Sequence, residues 1–345
     1  NNLAPFKIED LLKRDQIYID LDKNKKQYFK KTVLVTGAAG SIGSEIVRQL
    51  LKFSPKEIIL FDNNENSLFN IKKELENKKS KTNFHYLLKS VTDLNSVEFC
   101  FSKFKIDVVF HAAAYKHVYM TENMPRATIL NNILGTKNII DTAINEEVST
   151  FVFVSTDKAV NPSNIMGATK RIAEMYVSGI SSENKTKIIT TRFGNVLGSN
   201  GSVVPIFQGQ IAKGGPITVT HPKVTRFFMT ITEACQLVLE AGATGNHGEI
   251  YVFDMGKPVK IIDLAINMIR LSGLIENEDI EIKFTGLNEG EKLYEELLTD
   301  QENLKKSHNK LIFIADKQKI DINVKTKILQ LITDASNSKS TSSLV

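Results

Sequence analysis

The chain has 345 residues, 42% of them hydrophobic and 24% charged, with 19 Gly and 8 Pro. That balance excludes disordered, collagen-like and fibrous classes, and the length supports one large α/β domain with an appended lobe, or two domains. The net charge of +5 arises from 44 basic and 39 acidic residues spread along the chain, which points away from a nucleic-acid groove. No apolar window reaches the roughly 18 residues of a membrane span, so no membrane contact is expected of this segment itself. Cys100 and Cys235 show no CxxC spacing and no neighbouring His cluster, which speaks against a zinc site or a disulfide framework and for a reducing, cytoplasmic compartment. The start Asn1-Asn2-Leu3 has neither the basic end nor the apolar core of a signal peptide, and no Met. This leaves a fragment or a processed product open, with any upstream membrane anchor outside the sequence.

A polar arm, residues 1–31, carries a basic patch of Lys23, Lys25, Lys26, Lys30 and Lys31. Apolar β-branched runs then alternate with helix-period stretches, the pattern of βαβ units. Strands are predicted at Thr32–Thr36, Glu57–Asp62, Asn83–Leu88, Val108–His111, Thr150–Ser155 and Lys187–Arg192. Helices are predicted at Ser41–Phe53, Asn66–Asn77, Leu94–Phe104, Pro125–Glu146 and Ile165–Ser181. Six strands with five crossovers imply a doubly wound parallel sheet over residues 32–195, joined by 230–256, with ligands at the carboxyl ends of its strands. Beyond Phe193 the rhythm breaks at Gly198–Gly201, Gly214–Pro216 and His221-Pro222, marking a smaller α/β lobe over 196–229 and 257–334. The Ser- and Lys-rich tail, 335–345, is expected to be disordered.

The first strand runs into Gly37-Ala38-Ala39-Gly40-Ser41-Ile42-Gly43 and then into an apolar-periodic helix. Glycines at these three places allow a tight turn, a close backbone approach to a pyrophosphate and close helix packing, with the diphosphate on the helix N-terminus. Asp62, at the end of the next strand, is placed to accept hydrogen bonds from an adenosine ribose diol, although a plain turn residue fits there too. A 2′-phosphate would be repelled by Asp62 and finds no Arg in Phe61–Leu68, so NAD is favoured over NADP.

This turn, with His111-Ala112-Ala113-Ala114, Asn132-Ile133-Leu134-Gly135-Thr136, Ser155-Thr156 and Lys170 in order, resembles the extended short-chain dehydrogenase/reductases, with their Rossmann-type sheet and substrate-binding lobe. Four longer strings narrow the match: Ser155 to Pro162, Met166 to Lys170, Arg192 to Ser199 and Gly290 to Glu296. They look like the UDP-N-acetylglucosamine 4,6-dehydratases of bacterial glycan synthesis. The arm Lys7 to Arg14 is similar to the segment before the catalytic domain in the long, membrane-anchored members.

The resemblance implies NAD as cofactor and UDP-N-acetylglucosamine or a close UDP-sugar as substrate. The catalytic set it implies is Thr156, Asp157, Lys158, Met166 and Lys170. Cofactor contacts would come from Gly37, Gly40, Ser41, Ile42, Gly43, Asp62, Ser90, Val91, Ala112, Ala113, Ala114, Asn132, Lys170 and Phe193. Lys116, Asn195, Ser202, Val203, Pro205, Arg226 and Glu291 would meet the substrate. Arg suits a diphosphate because its planar fork binds two oxygens. Two departures stand out. Met166 occupies the position of the superfamily's Tyr, as in the long-form dehydratases, and Lys89-Ser90 replaces the usual adenine-side Gly-Asp.

Removing water across C5 and C6 of a hexose needs prior oxidation at C4, which acidifies the C5 proton; a base then takes that proton, an acid protonates the departing 6-hydroxyl, and the hydride returns to C6. Asp157 and Lys158 supply an acid and a base, and a dry pocket favours the neutral form of each. In a regular strand they face opposite sides, so the chain must leave strand geometry there. With no proton acceptor on Met166, Asp157 is expected to deprotonate the 4-hydroxyl, with Thr156 orienting it. Rival readings are a 5-inverting dehydratase, a UDP-sugar 4-epimerase, and a non-catalytic NAD sensor or scaffold. A homo-oligomer pairing through Pro125–Glu146 and Ile165–Ser181 is expected.

Overall fold

The computed structural model describes residues 11, 24–180, 184–298, 304–307, 309–315 and 322–337, so most of the arm and the end of the tail lie outside the described residues. In chain order the elements are α1 (Lys25–Tyr28), β1 (Thr32–Thr36), α2 (Ser41–Leu50), β2 (Glu57–Asp62), α3 (Glu65–Glu76), β3 (Asn83–Leu88), α4 (Leu94–Lys103), β4 (Val108–His111), α5 (Val118–Asn123), α6 (Pro125–Ile129), α7 (Gly135–Asn145), β5 (Thr150–Thr156), α8 (Ile165–Ser178) and β6 (Lys187–Phe193). Then follow β7 (Asn195–Leu197), α9 (Val203–Ala212), β8 (Ile217–Val219), β9 (Thr225–Arg226), β10 (Phe228–Thr230), α10 (Ile231–Thr244), β11 (Ile250–Phe253), β12 (Val259–Lys260), α11 (Ile261–Leu271), β13 (Ile282–Phe284), β14 (Leu304–Lys306), β15 (Ile312–Ala315) and α12 (Ile322–Asn337).

Nine strands form one sheet in the order β14-β15-β11-β6-β5-β4-β1-β2-β3. From β11 to β3 neighbouring strands run parallel, and β15 pairs antiparallel with both β11 and β14. Alternation within a strand sends successive side chains to opposite faces, and both faces are covered. Val33, Val35, Leu60 and Val152 join the core under α2 and α10, whereas Leu34, Ile59, Phe151 and Phe153 join the core on the other face. The strand order reverses between β1 and β4, each of which continues outward in its own direction, and the crevice at their carboxyl ends is where ligands bind in such sheets. A separate apolar cluster built from Val204, Phe207, Ile217, Phe228, Leu264 and Met268 holds the lobe together.

The Rossmann-type reading therefore stands, with four differences. The predicted helix Pro125–Glu146 is interrupted by a π turn at Leu130–Leu134, because inserting one residue per turn keeps its apolar stripe on the core while re-aiming Asn131 and Asn132. Helix α5 lies in a stretch between the predicted strand 108–111 and helix 125–146 for which no element was predicted. The part of 257–334 from Leu304 onward, placed in the lobe by sequence, extends the large sheet as β14 and β15, because the Ile312–Ala315 run pairs along the edge of β11. Finally, α12 carries the chain to Asn337 with Ala335 buried, so the first three residues of the expected tail are helical. Ile328, Ile332 and Ala335 of α12 pack into the core beside α6, the π turn and α8, the helices expected to pair with a second copy.

Candidate active site

A cleft of about 810 Å³ opens at the switch point, lined by the glycine turn, the ends of β2, β4, β5 and β6, and the loop before α9. Gly37 has φ +63°, donates its N–H to Phe61 O at 2.9 Å, and lies so close to the β4 end that a Cβ would stand 2.8 Å from Ala113 Cα. Helix α2 begins on this turn; its first turn carries no acidic residue and no side-chain cap, leaving its amides open to an anion. Asp62 does two jobs at once. Its Oδ2 accepts from Ala39 N–H and its Oδ1 from Asn64 N–H, both at 2.9 Å, so it fixes the turn while still lining the cleft with spare acceptor capacity.

The opposite wall rests on a buried polar chain. Thr36 Oγ1 lies 2.7 Å from His111 Nδ1, His111 Nε2 lies 2.9 Å from Thr136 Oγ1, and the Thr136 hydroxyl donates to Asn132 O at 2.7 Å. Because the Thr136 hydroxyl is spent on that carbonyl, the network assigns the imidazole proton to Nε2. Burial, reinforced by the Lys170 charge, pushes His111 down to about 3, so its ring is neutral. Lys170 donates to Val154 O at 2.7 Å and sits 4.0 Å over the Phe153 ring; burial lowers it to about 7, with Glu174 opposing.

Strand β5 ends at Thr156, and a 3-10 turn at Asp157–Ala159 takes the chain out of strand geometry. Asp157 and Lys158 consequently meet on one side. Asp157 is fully buried, and its Oδ1 accepts from the Thr156 hydroxyl at 2.8 Å and from Lys158 Nζ at 3.0 Å. Lys158 Nζ also donates to Asn195 Oδ1 at 3.0 Å and lies 3.7 Å from Glu295 Oε1. Three oxygens thus surround the three donors of an ammonium. Gly167 permits this packing: a Cβ there would stand 2.2 Å from Lys158 O, so any side chain would push α8 off the turn.

Of the residues singled out by sequence, the cleft wall contains Gly37, Gly40, Ser41, Ile42, Gly43, Asp62, Val91, Ala112, Ala113, Ala114, Lys116, Thr156, Lys158, Met166, Lys170, Phe193, Asn195 and Ser202. Seven others stand off it. Ser90 turns its hydroxyl to Thr92 Oγ1 at 2.8 Å. Asn132 clamps the backbone of Tyr115 and donates to Thr169 Oγ1 at 3.0 Å, while its neighbour Asn131 lines the cleft. Asp157 lies behind Thr156, and Val203 and Pro205 belong to the first turn of α9. Arg226 is buried and directed at Glu291, with Nη2 3.2 Å from Glu291 Oε1 and Nε 3.8 Å from Glu295 Oε1.

A family model described as polysaccharide biosynthesis protein matches residues 33–317. The chain belongs to this polysaccharide biosynthesis family. Among relatives, it is 50% identical over its whole length to the capsular polysaccharide biosynthesis protein CapD of Staphylococcus aureus, covering 57% of that protein. It spans about half the length of CapD and of the probable polysaccharide biosynthesis protein EpsC of Bacillus subtilis, to which it is 52% identical over 87% of its length. Among solved structures it is similar to Pen from Bacillus thuringiensis, with a TM-score of 0.77 and 34% identity over 88% of this chain and 98% of that one. The fold is shared with DesIV, a dTDP-glucose 4,6-dehydratase of Streptomyces venezuelae solved with NAD bound, at a TM-score of 0.65 and 20% identity over 77% of this chain and 88% of that one.

In this family chain the sequence reading passed over Glu295, although it lies in the string that carried the resemblance, four residues after Glu291. No local signal marked it, because Glu295 lies in an irregular segment and Arg226 stands about seventy residues earlier in the chain. Nothing in local sequence marked Tyr115, Met120 and Met124, which line the mouth of the cleft because α5 lies there. Among the described residues no helix is long and apolar enough to cross a membrane.

Proposed function

We propose that the chain is the catalytic unit of an NAD-dependent UDP-N-acetylglucosamine 4,6-dehydratase, working at the cytoplasmic side in surface-glycan or glycoprotein-sugar synthesis. The observation that carries this reading is the Asp157-Lys158 pair, bonded at 3.0 Å at the end of β5, with Lys158 on the wall of the cleft that holds the glycine turn and Asp157 buried directly behind Thr156. An enzyme that only oxidises and re-reduces C4 needs one proton acceptor for the 4-hydroxyl and has no use for a further base directed at C5.

The residues fit a dinucleotide. The glycine turn leaves no room for side chains, the α2 amides are free to meet a diphosphate, and the Asp62 carboxylate at the rim suits a ribose diol and repels a 2′-phosphate. Lys170, Phe193 and the run Ala112 to Ala114 border the nicotinamide end, and the adenine side falls to Val91, since Ser90 is turned away. When bound, the cofactor supplies a hydride acceptor at C4 and the hydride donor at C6.

This chain's own residues do the proton work. Thr156 faces the cleft and hands its hydroxyl proton to Asp157, so the sugar's 4-hydroxyl loses its proton to Asp157 through Thr156 rather than directly. Asp157 later returns that proton to the departing O6. Lys158, acting in its neutral form, takes the proton at C5 and, after exchange with solvent, returns one to C5 when the hydride adds at C6. Met166, buried against the cleft, closes the place of the usual Tyr and adds no competing acid. Lys116 and Ser202 stand where the sugar enters, and Arg226 is assigned the diphosphate, which would replace Glu291 on its guanidinium.

Proton NMR and mass analysis of the chain with UDP-N-acetylglucosamine in deuterated water tests the reading. A loss of one water with a new C6 methyl signal and deuterium at C5 is expected, and the coupling at C5 separates a retaining from an inverting enzyme. A C4 epimer of unchanged mass would make it an epimerase, and NAD binding with no conversion of any UDP-sugar would make it a sensor or scaffold. The expected homo-oligomer is tested by light scattering of the same sample.

A further inference from the structure

The segment Gly290–Glu296 docks on the loop that follows Lys158. Ser163 Oγ and Asn164 Nδ2 donate to Gly290 O at 3.0 and 3.1 Å, and Lys292 Nζ donates to Val160 O at 3.1 Å. Gly290 has φ +72°, and a Cβ there would stand 2.7 Å from Asn164 Cβ, so the approach is set by backbone. On the other side the segment grips the lobe, where Thr225 N–H donates to Leu293 O at 3.0 Å.

Glu295 is thereby placed between two cations that belong to different parts of the site. Its side chain is only 4% exposed, and the one oxygen Oε1 lies 3.7 Å from Lys158 Nζ and 3.8 Å from Arg226 Nε. The other oxygen, Oε2, is buried with no hydrogen-bond partner among the described residues. A buried carboxylate is costly unless paired, so neither cation can leave without changing what holds the other. Lys158 keeps Asp157 as its second carboxylate, and Arg226 keeps Glu291.

We propose that Glu295 is a positioning residue that couples capture of a nucleoside diphosphate at Arg226 to the placement of Lys158. In the structure it is shared between the two cations; a diphosphate on Arg226 leaves it to Lys158 alone, fixing the position of Lys158 Nζ beside the sugar only when substrate is held. The inference rests on the reading of Arg226 as the diphosphate residue.

The test compares the wild-type chain with Glu295→Gln and Glu295→Asp, measuring UDP binding by calorimetry and turnover of UDP-N-acetylglucosamine by NMR. Removing the charge takes away a competitor of the diphosphate, so Glu295→Gln is expected to bind UDP roughly three- to tenfold more tightly. Its kcat is expected to fall by roughly tenfold or more, as Lys158 loses an anchor. A residue with a merely structural role would weaken both. Glu295→Asp keeps the charge on a shorter arm and should recover part of the turnover; where the Gln variant fails to fold, Asp carries the test, with the same signs at smaller size. UDP affinity unchanged or weakened at wild-type melting temperature, or kcat within threefold of wild type, overturns the coupling. If the wild-type chain binds UDP but converts nothing, the dehydratase reading falls, while tighter UDP binding by Glu295→Gln still supports the pairing with Arg226 and its absence still overturns it.

Discussion

The same substitution, Gly→Ala, is expected to have opposite effects at two places in this chain. At Gly43 a Cβ would stand 2.1 Å from Gly37 O, 2.7 Å from Gly37 C and 2.8 Å from Ala38 Cα, all backbone atoms. The glycine turn cannot retreat, because Gly37 N–H is bonded to Phe61 O and its own Cα faces Ala113. Helix α2 must therefore lift by about 1 Å, an overpacking cost of about 1–3 kcal/mol. Its N-terminal amides move with it, and losing one hydrogen bond to a charged diphosphate costs about 1.5–3 kcal/mol, on the order of 10- to 100-fold in affinity. Gly209 lies within α9, exposed, with no heavy atom inside 4 Å of a built Cβ. Ala there gains about 1 kcal/mol, because a helical glycine gives up more backbone freedom on folding. Urea denaturation gives the stabilities, and calorimetric titration with NAD gives the affinities. Gly43→Ala should lose both stability and affinity, whereas Gly209→Ala should gain stability with affinity unchanged. A Gly43→Ala chain that folds as stably as wild type and binds NAD within threefold of it would refute the steric reading of the turn.

Burial holds Lys170 near 7 against an ordinary value of 10.5, so the unfolded chain binds the extra proton between those values; the penalty is complete below pH 7 and is lifted as pH rises through that window. Lys170→Met should therefore gain most over wild type in urea midpoint at pH 6, with the gain shrinking toward pH 9.5. Arg192 and Glu174 form a buried pair at 2.6 Å, so Glu174→Leu alone should cost about 3–5 kcal/mol while Glu174→Leu with Arg192→Met costs less, read from the same denaturation curves. Thr230 and Glu233 cap α10 reciprocally at 3.0 and 2.8 Å, and Thr230→Val should lower stability by about 1 kcal/mol with NAD affinity unchanged. Asp157→Asn should abolish the first-turnover formation of a 4-keto sugar; oxidation at the wild-type rate would remove Asp157 from the proton path.

The parallel sheet was legible because its signal is local: each strand is an apolar run, and each crossover helix has its own period. The glycine turn was legible for the same reason, since residues 37–43 alone specify the tight backbone. What escaped depends on partners distant in sequence. Ile312, Phe313 and Ile314 read as a short mixed element until β11 offers them an edge, and β11 lies about sixty residues earlier. The π turn at Leu130–Leu134 adds a single residue to one turn, a phase slip too small to stand out inside a long helix-period stretch. At the site, Asp157 and Lys158 could be named from sequence, and so could the need to leave strand geometry between them. Their order of access could not: Thr156 shields Asp157, and that follows from the turn at Asp157–Ala159 and the packing allowed by Gly167.

The same distinction bears on self-association. The helices 125–145 and 165–178, expected from the resemblance to pair across a two-fold axis, carry apolar stripes that need covering. In the structure part of that demand is met within the chain, since α12 lays Ile328, Ile332 and Ala335 against Ile133, Tyr176 and Val177 in one core. Arg126 fastens the end of α12 by donating from Nε to Ala335 O at 2.8 Å. A second copy approaching this face meets the outer side of α12, where Leu329 is 38% exposed amid polar neighbours such as Gln330 and Asp334. Pairing there would bury a polar helix face rather than the stripes, and hydrophobic burial is what drives stable homodimers. The two helices expected to pair across a two-fold axis thus have part of their apolar surface covered by the chain's own C-terminal helix, and a homo-oligomer formed at this face would include the outer side of α12 in its interface.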